Sequence, residues 1–432
     1  MLSEKKENEN SNPRRILNFS PADNFNFFSL PNFPLEKKRV LLRVDFNVPL
    51  EANSSPNSHL KVKDDRKIRL TLPTIKYLLQ KKCQLIICTH LGRPEGKVVD
   101  SLRVNPLAQE LQLHFPRYKI TKLNDCLGQL VRTKVNQAKP REIILLENLR
   151  FHPEEEANDS FFAHSLANLA EVYVNDAFGA CHQKNASIQA ITQYLPSVAG
   201  FLVQEEINQL HQALKPQRPA VWILGGSKLN KINLLKQALK QADIILIGGA
   251  IAFSFLKAKK IPVGMSKIDR SSVKLAKKIL NQRLAKKIVL PIDIIAADSF
   301  SPQSRTEIVA SNQIKNHQIG LDLGPNTIEK YKLILKNART IVWNGPLGYF
   351  EWVQFANATR EIGRFISSLP AYTICGGGET AEAIQKFHLE HKITYLSSGG
   401  GAALAFLSGE QLPGLKALEK NYRKFRKKIG IR

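Results

Sequence analysis

Cysteine is scarce, with five residues in a chain of 432. The number is odd, and Cys83, Cys88, Cys126, Cys181 and Cys375 show no C-x-x-C spacing. That pattern speaks against a disulfide framework and a structural zinc site, so reduced thiols in or near the core are expected. Long hydrophobic runs are missing too. No apolar stretch approaches the roughly 20 residues that cross a bilayer, and the opening MLSEKKENENSNPRR has no apolar secretory segment. A cytoplasmic protein is expected. Acidic residues are in deficit, 37 Asp+Glu against 63 Lys+Arg, for a formal net charge of +26. Much of the excess is lysine scattered over polar helix faces (Lys236, Lys240, Lys274, Lys277, Lys278), which reads as solvated surface. Only KNYRKFRKKIGIR (420–432) is dense enough to suggest an anionic partner such as RNA or a membrane surface. No specific nucleic-acid partner and no membrane are expected, and the chain is expected to act as a monomer.

Standard nucleotide signatures are also absent. Gly92 to Lys97 has the wrong spacing for G-x-x-x-x-G-K-[ST] and is followed by Val98, and no G-x-G-x-x-G follows a strand. A P-loop NTPase, a protein kinase and a dinucleotide dehydrogenase are thereby disfavoured.

What is present is ordinary globular material, 43% hydrophobic and 23% charged, in a chain too long for one core of usual size. Residues 1–20 read as a disordered leader, being rich in Asn, Ser, Glu and Lys without periodicity. After them one phrase repeats: a short apolar run, a turn, then an amphipathic stretch. The runs are RVLLRVDF, QLIICTH, EIILLEN, EVYVNDAF, AVWILGG, DIILIGGA, KIVLPID, TIVWNGP, YTICGGG and ITYLSSGGG. Continuous apolar runs alternating with helices predict buried parallel strands. The expected fold is α/β, two doubly wound parallel-sheet (Rossmann-like) domains joined by a helix and hinge at 200–214. The expected division is 21–200, with 409–432 returning to it, and 201–408.

The two halves end their strands differently. The first half delivers Asp45, Asn47, His90, Arg93, Asn148, Arg150, Asn175 and His182, which suit a small anionic substrate. The second delivers bare glycine at 225–226, 248–249, 345, 376–378 and 399–401, which suits nucleotide phosphates at helix starts. Ligands of open α/β sheets bind beyond the carboxyl ends of the strands, so two clefts suggest transfer of a group between two ligands.

Twelve segments in register then resemble the phosphoglycerate kinase family, among them RVDFNVPL, THLGRPEGK, LLENLRFHPEEE, YVNDAFG, ILGGSK, VWNGPLGYFE, GGGET and SGGGAAL. The resemblance implies reversible phosphoryl transfer between 1,3-bisphosphoglycerate and ADP, giving 3-phosphoglycerate and ATP, with Mg2+ on the nucleotide and hinge closure between the domains. It implies a glycerate site of Asp45, Phe46, Asn47, Lys67, His90, Leu91, Gly92, Arg93, Arg150 and Gln183. On the nucleotide side it implies Gly225, Lys228, Lys231, Gly248, Gly249, Gly320, Asn344, Glu351, Gly377, Gly378, Glu379 and Thr380, with Glu379 associated with the metal. Lys67, Lys228 and Lys231 would be catalytic.

Departures from the family pattern cluster at the chemistry. The family's catalytic arginine aligns with Lys67, a second substrate arginine with Gln183, a nearby histidine with Asn185, and the magnesium-associated aspartate with Glu379. Lys228 and Lys231 stand three apart, without the family's intervening aspartate. A lysine keeps the charge but loses the planar fork. One lost charge-assisted hydrogen bond is worth about 1.5–3 kcal/mol, or roughly 10- to 150-fold in rate. The alternative is a catalytically weakened homologue that binds nucleotide without efficient transfer.

Overall fold

The computed structural model describes residues 26–52, 60–139, 141–227 and 232–430. The leader (1–20), Lys228 and Lys231 lie outside these residues.

All ten apolar runs contain strands, and they sort into two parallel sheets. The first has seven strands in the spatial order Phe28–Ser29, Ser197–Ala199, Val172–Asp176, Arg39–Val44, Gln84–Cys88, Glu142–Leu145, Lys119–Lys122. The second has six: Ile288–Val289, Ile244–Ile247, Ala220–Leu224, Thr340–Asn344, Tyr372–Gly376, Tyr395–Leu396. Every pairing within both is parallel. The central strands Val172–Asp176, Ala220–Leu224 and Thr340–Asn344 are buried at every position, as helices on both faces require. This is the α/β architecture the pattern predicts.

One element escapes that pattern. Asp293–Ala297, Thr306–Ala310 and Ile319–Leu323 form a separate antiparallel sheet. The run KIVLPID therefore holds parts of two strands in different sheets. Its partner TEIVA leaves Thr306, Glu307 and Ile308 exposed, so it lacks the continuous apolar signature of a buried strand.

Between the two large sheets runs the helix Phe201–Leu214, which packs on Val172–Asp176 of the first and on Thr340–Asn344 and Tyr372–Gly376 of the second. Two buried carboxylates fix it. Asp176 accepts from the amide of Leu202 in the first turn at 2.8 Å. Glu206, fully buried, accepts from the hydroxyls of Ser397 and Ser398 and from the Ser398 amide, each at 2.7 Å. The last helix, Pro413–Ile429, returns to the first sheet. There Asn421 donates to the carbonyls of Thr192 and Leu195 and accepts from the Ser197 amide. All five cysteines are free and buried.

Burial pushes the Asp176 carboxyl up to about 7, against an ordinary 3.8. The sign follows from linkage: a raised folded-state value gives stability that is full below the unfolded value and is lost as pH climbs through the folded one. The loss therefore runs from about pH 4 to above pH 7, and over the full range is on the order of 4 kcal/mol. Asp176→Asn, which cannot ionise, should flatten this slope, so that denaturant titrations show the variant gaining on the parent between pH 5 and pH 8. A constant difference across that range would refute the assignment.

Candidate functional site

The C-terminal ends of the first sheet's strands build a cationic wall. Strand Arg39–Val44 runs into Asp45, and the helix Arg66–Gln80 brings Lys67 to it, Nζ to Oδ2 at 3.0 Å. Burial alone would raise the Asp45 carboxyl, but the ammonium of Lys67, which also donates to it, together with the Arg43 guanidinium, outweighs it and holds the group at about 2. Asn47 accepts from the Gly92 amide at 2.9 Å, closing the loop after Gln84–Cys88 onto the loop after Arg39–Val44. Asn148 accepts from the amides of both Leu91 and Arg150, tying a third strand end to the same place. Arg150, 4% exposed, donates to the Gly92 carbonyl at 2.7 Å and to Oε1 of Gln183 at 2.9 Å, and pairs with Glu156 at 3.2 Å. Arg93 is exposed at the mouth, and its charge helps to depress the Arg150 guanidinium, behind burial as the main cause.

Behind the wall lies a residue that sequence reading missed. Arg43 is fully buried; its Nε donates to Ser187 at 2.8 Å, a second nitrogen lies 3.8 Å from Glu155, and Nη1 donates to the Val44 carbonyl. Its Nη2 lies 3.2 Å from Nδ1 of His90. A guanidinium only donates, so this Nδ1 accepts and the neutral ring carries its proton on Nε2. Burial, then the Arg43 charge, holds His90 well below the ordinary imidazole range, which fixes that neutral form. An arginine inside an otherwise apolar strand run was the available signal.

Of the expected substrate residues, Asp45, Asn47, Lys67, His90, Gly92, Arg150 and Gln183 are thus brought together. Phe46 and Leu91 turn their side chains into the core, leaving only backbone to border the site. Gln183 stands against Arg150 and adds no charge, and Lys184 lines a different cavity.

The second sheet's strand ends build an opposite kind of surface, a cavity of about 420 Å3. Gly226, Gly249, Gly320, Glu351 and Glu379 line it, and so do Ser227, Phe253, Lys267, Phe300, Asp322 and Tyr349, which sequence reading did not place there. These last come mostly from loops and from the antiparallel sheet, which carry no periodic signal. Glycine is required at two positions. Gly249 has φ +58, and a Cβ there would sit 2.6 Å from the Gly226 nitrogen; a Cβ on Gly320 would sit 2.2 Å from the Phe253 ring. Gly225, Gly248, Asn344, Gly377, Gly378 and Thr380 are not among the lining residues. Asn344 instead donates to the Gly376 carbonyl at 2.7 Å, and Thr380 accepts from the Gly345 amide at 2.7 Å, so both brace the floor from behind.

Elsewhere the turn Phe178–Ala180, which follows a strand of the first sheet, packs against the helix Gly401–Leu407, which follows the last strand of the second, with the Phe178 and Phe406 rings 6.3 Å apart. A cationic wall and a glycine-lined cavity are therefore parts of one chain, each at the strand ends of its own sheet.

Known proteins match this chain along nearly its whole length. The family model described as phosphoglycerate kinase matches residues 30–410. A phosphoglycerate kinase of Moorella thermoacetica is 45% identical over 394 residues, covering 90% of this chain and 98% of the relative. One of Rippkaea orientalis is 40% identical, covering 94% and 99%. Among solved structures, phosphoglycerate kinase from Coxiella burnetii superposes with a TM-score of 0.80 at 34% identity, covering 91% of this chain and 99% of that one. The enzyme from Pyrococcus horikoshii gives 0.80 at 32%, covering 92% and 100%. With sheets, strand-end chemistry and sequence all in agreement, the chain belongs to the phosphoglycerate kinase family.

Proposed function

We propose that the two surfaces divide the family's reaction between them, the cationic wall holding the phosphoglycerate and the glycine-lined cavity the ADP or ATP. The observation that carries this reading is the convergence of Lys67, Asp45, His90 and Arg150 at one sheet's strand ends, beside a cavity of nucleotide size at the other's. In the transfer, the bond between phosphorus and the glycerate carboxyl oxygen breaks as a terminal phosphate oxygen of ADP bonds to the same phosphorus. No proton need move, so the protein's work is positioning and charge neutralisation. Asp45, ionised above about pH 2, accepts from the glycerate hydroxyl. Arg93 and Arg150 pair with the anionic ends of the substrate, and His90, its tautomer set by Arg43, donates through Nε2. Lys67 leaves its ion pair with Asp45 to neutralise the transferring group.

Magnesium belongs to this proposal. Glu379 lines the nucleotide cavity, with Oε2 directed over Gly226, 3.1 Å from where a Cβ would stand. A carboxylate so placed suits an oxygen-seeking cation and would hold it through Glu379. When bound, the ion neutralises nucleotide phosphate oxygens. A monomer acting in the cytoplasm completes the reading. The described residues include no helix long and apolar enough to cross a membrane.

A coupled assay with 3-phosphoglycerate and MgATP should show turnover that Arg93→Ala lowers at least tenfold, one charge-assisted contact being worth about that much, and that EDTA abolishes. Tight MgADP binding by a folded protein without turnover would instead establish the weakened homologue. Lys67→Arg restores the planar fork and should raise kcat several-fold; no change, with Arg66→Ala inactive, would move the catalytic role one residue back. Gly249→Ala pushes a methyl group into the cavity's backbone wall. It should weaken MgADP binding about tenfold or more by calorimetry, equivalent to roughly 1.4 kcal/mol, while leaving 3-phosphoglycerate binding intact.

A further inference from the structure

Away from the cleft, a second concavity of about 440 Å3 lies between the C-terminal helix and the segment 184–193. Lys416, Lys420 and Lys424 line one side at successive four-residue steps of the helix Pro413–Ile429, which puts them on one face. Lys184 lines it from the other side. Among the described residues none of the four forms an ion pair within 4.0 Å; Lys424 donates to the Gln193 carbonyl at 2.7 Å and lies 5.3 Å from the centre of the Phe425 ring, and Lys416 is attracted to Glu419. Gathering like charges around one hollow works against folding unless something anionic fills it.

The seat is also fixed in place. Asn421, 2% exposed, lines the same concavity and spends its amide on three backbone groups of the segment 192–197, clamping helix to loop. Gln189, another lining residue, has a buried Oε1 with no hydrogen-bond partner. The ammonium groups surround a hollow and do not line a flat face, so a small ligand fits them better than a bilayer or a nucleic-acid duplex does.

We propose that this concavity binds a small, multiply charged phosphate compound. The test uses the full chain, with ADP and 3-phosphoglycerate saturating so that the catalytic cleft is filled, and inorganic tripolyphosphate as the calorimetric probe. One residual tripolyphosphate site is expected. The pair Lys416→Gln and Lys420→Gln should weaken it about tenfold or more, since both are charge-assisted contacts, with turnover and melting temperature unchanged. Arginine at the same two positions should restore it. Should the helix variant fail to fold, Lys184→Gln on the exposed segment reads the same site. No residual binding, or residual binding indifferent to these lysines, overturns the proposal. Binding of anionic vesicles or RNA through these lysines, with tripolyphosphate silent, overturns it as well and makes the face a macromolecular surface.

Discussion

The carboxylates of Asp176 and Glu206 hold the helix Phe201–Leu214 to both sheets at once, and the relation between the two binding surfaces rests on that attachment. Burying a carboxylate is costly, and hydrogen bonds offset the cost at both oxygens of Glu206 but at only one of Asp176, whose Oδ2 is buried without a partner. Asp176 caps the helix start on the side of the first sheet. Glu206, one turn on, grips the Ser397–Ser398 loop that follows the last strand of the second. Removing either partner leaves a desolvated charge, so neither bond slackens without the other elements shifting. Ser398 supplies one of the hydroxyls on which this depends.

The same economy governs the cationic wall. Arg43 sits inside a strand, wholly out of water, because Ser187, Glu155 and a carbonyl take its donors. Its remaining donor sets the tautomer of His90. Chemistry at the surface is thereby arranged by a charge that no ligand need touch. The glycine-lined cavity of the second sheet is arranged by absence: side chains missing at Gly249 and Gly320 leave room, while Asn344 and Thr380 stiffen the neighbouring loops.

Much of this was legible in the residues alone. Apolar runs marked every strand of the second sheet and the central strands of the first, because burial on both faces leaves a continuous signature. Strands such as Lys119–Lys122 and Thr306–Ala310 were not legible, since sheet edges and half-exposed sheets tolerate polar residues. Asp45, His90 and Arg150 announced themselves as polar groups directly after apolar runs. Arg43 did not, because a charge within such a run reads as interior until its partners, more than a hundred residues away, are seen. Thr380 shows what a motif does not tell: its hydroxyl accepts from the Gly345 amide, a contact between residues 35 apart in the chain that no local pattern announces.

Five buried thiols have a meaning of their own. Burial pushes Cys88 and Cys181 up to about 12 and Cys83 up to about 11, so almost no thiolate exists at neutral pH. Peroxides and alkylating reagents attack the thiolate, and they need access. While folded, these cysteines are shielded from such reagents. The pace at which each cysteine becomes reactive is then a clock on the opening of its own neighbourhood: Cys88 for the centre of the first sheet, Cys375 for the second and Cys181 for the turn between them.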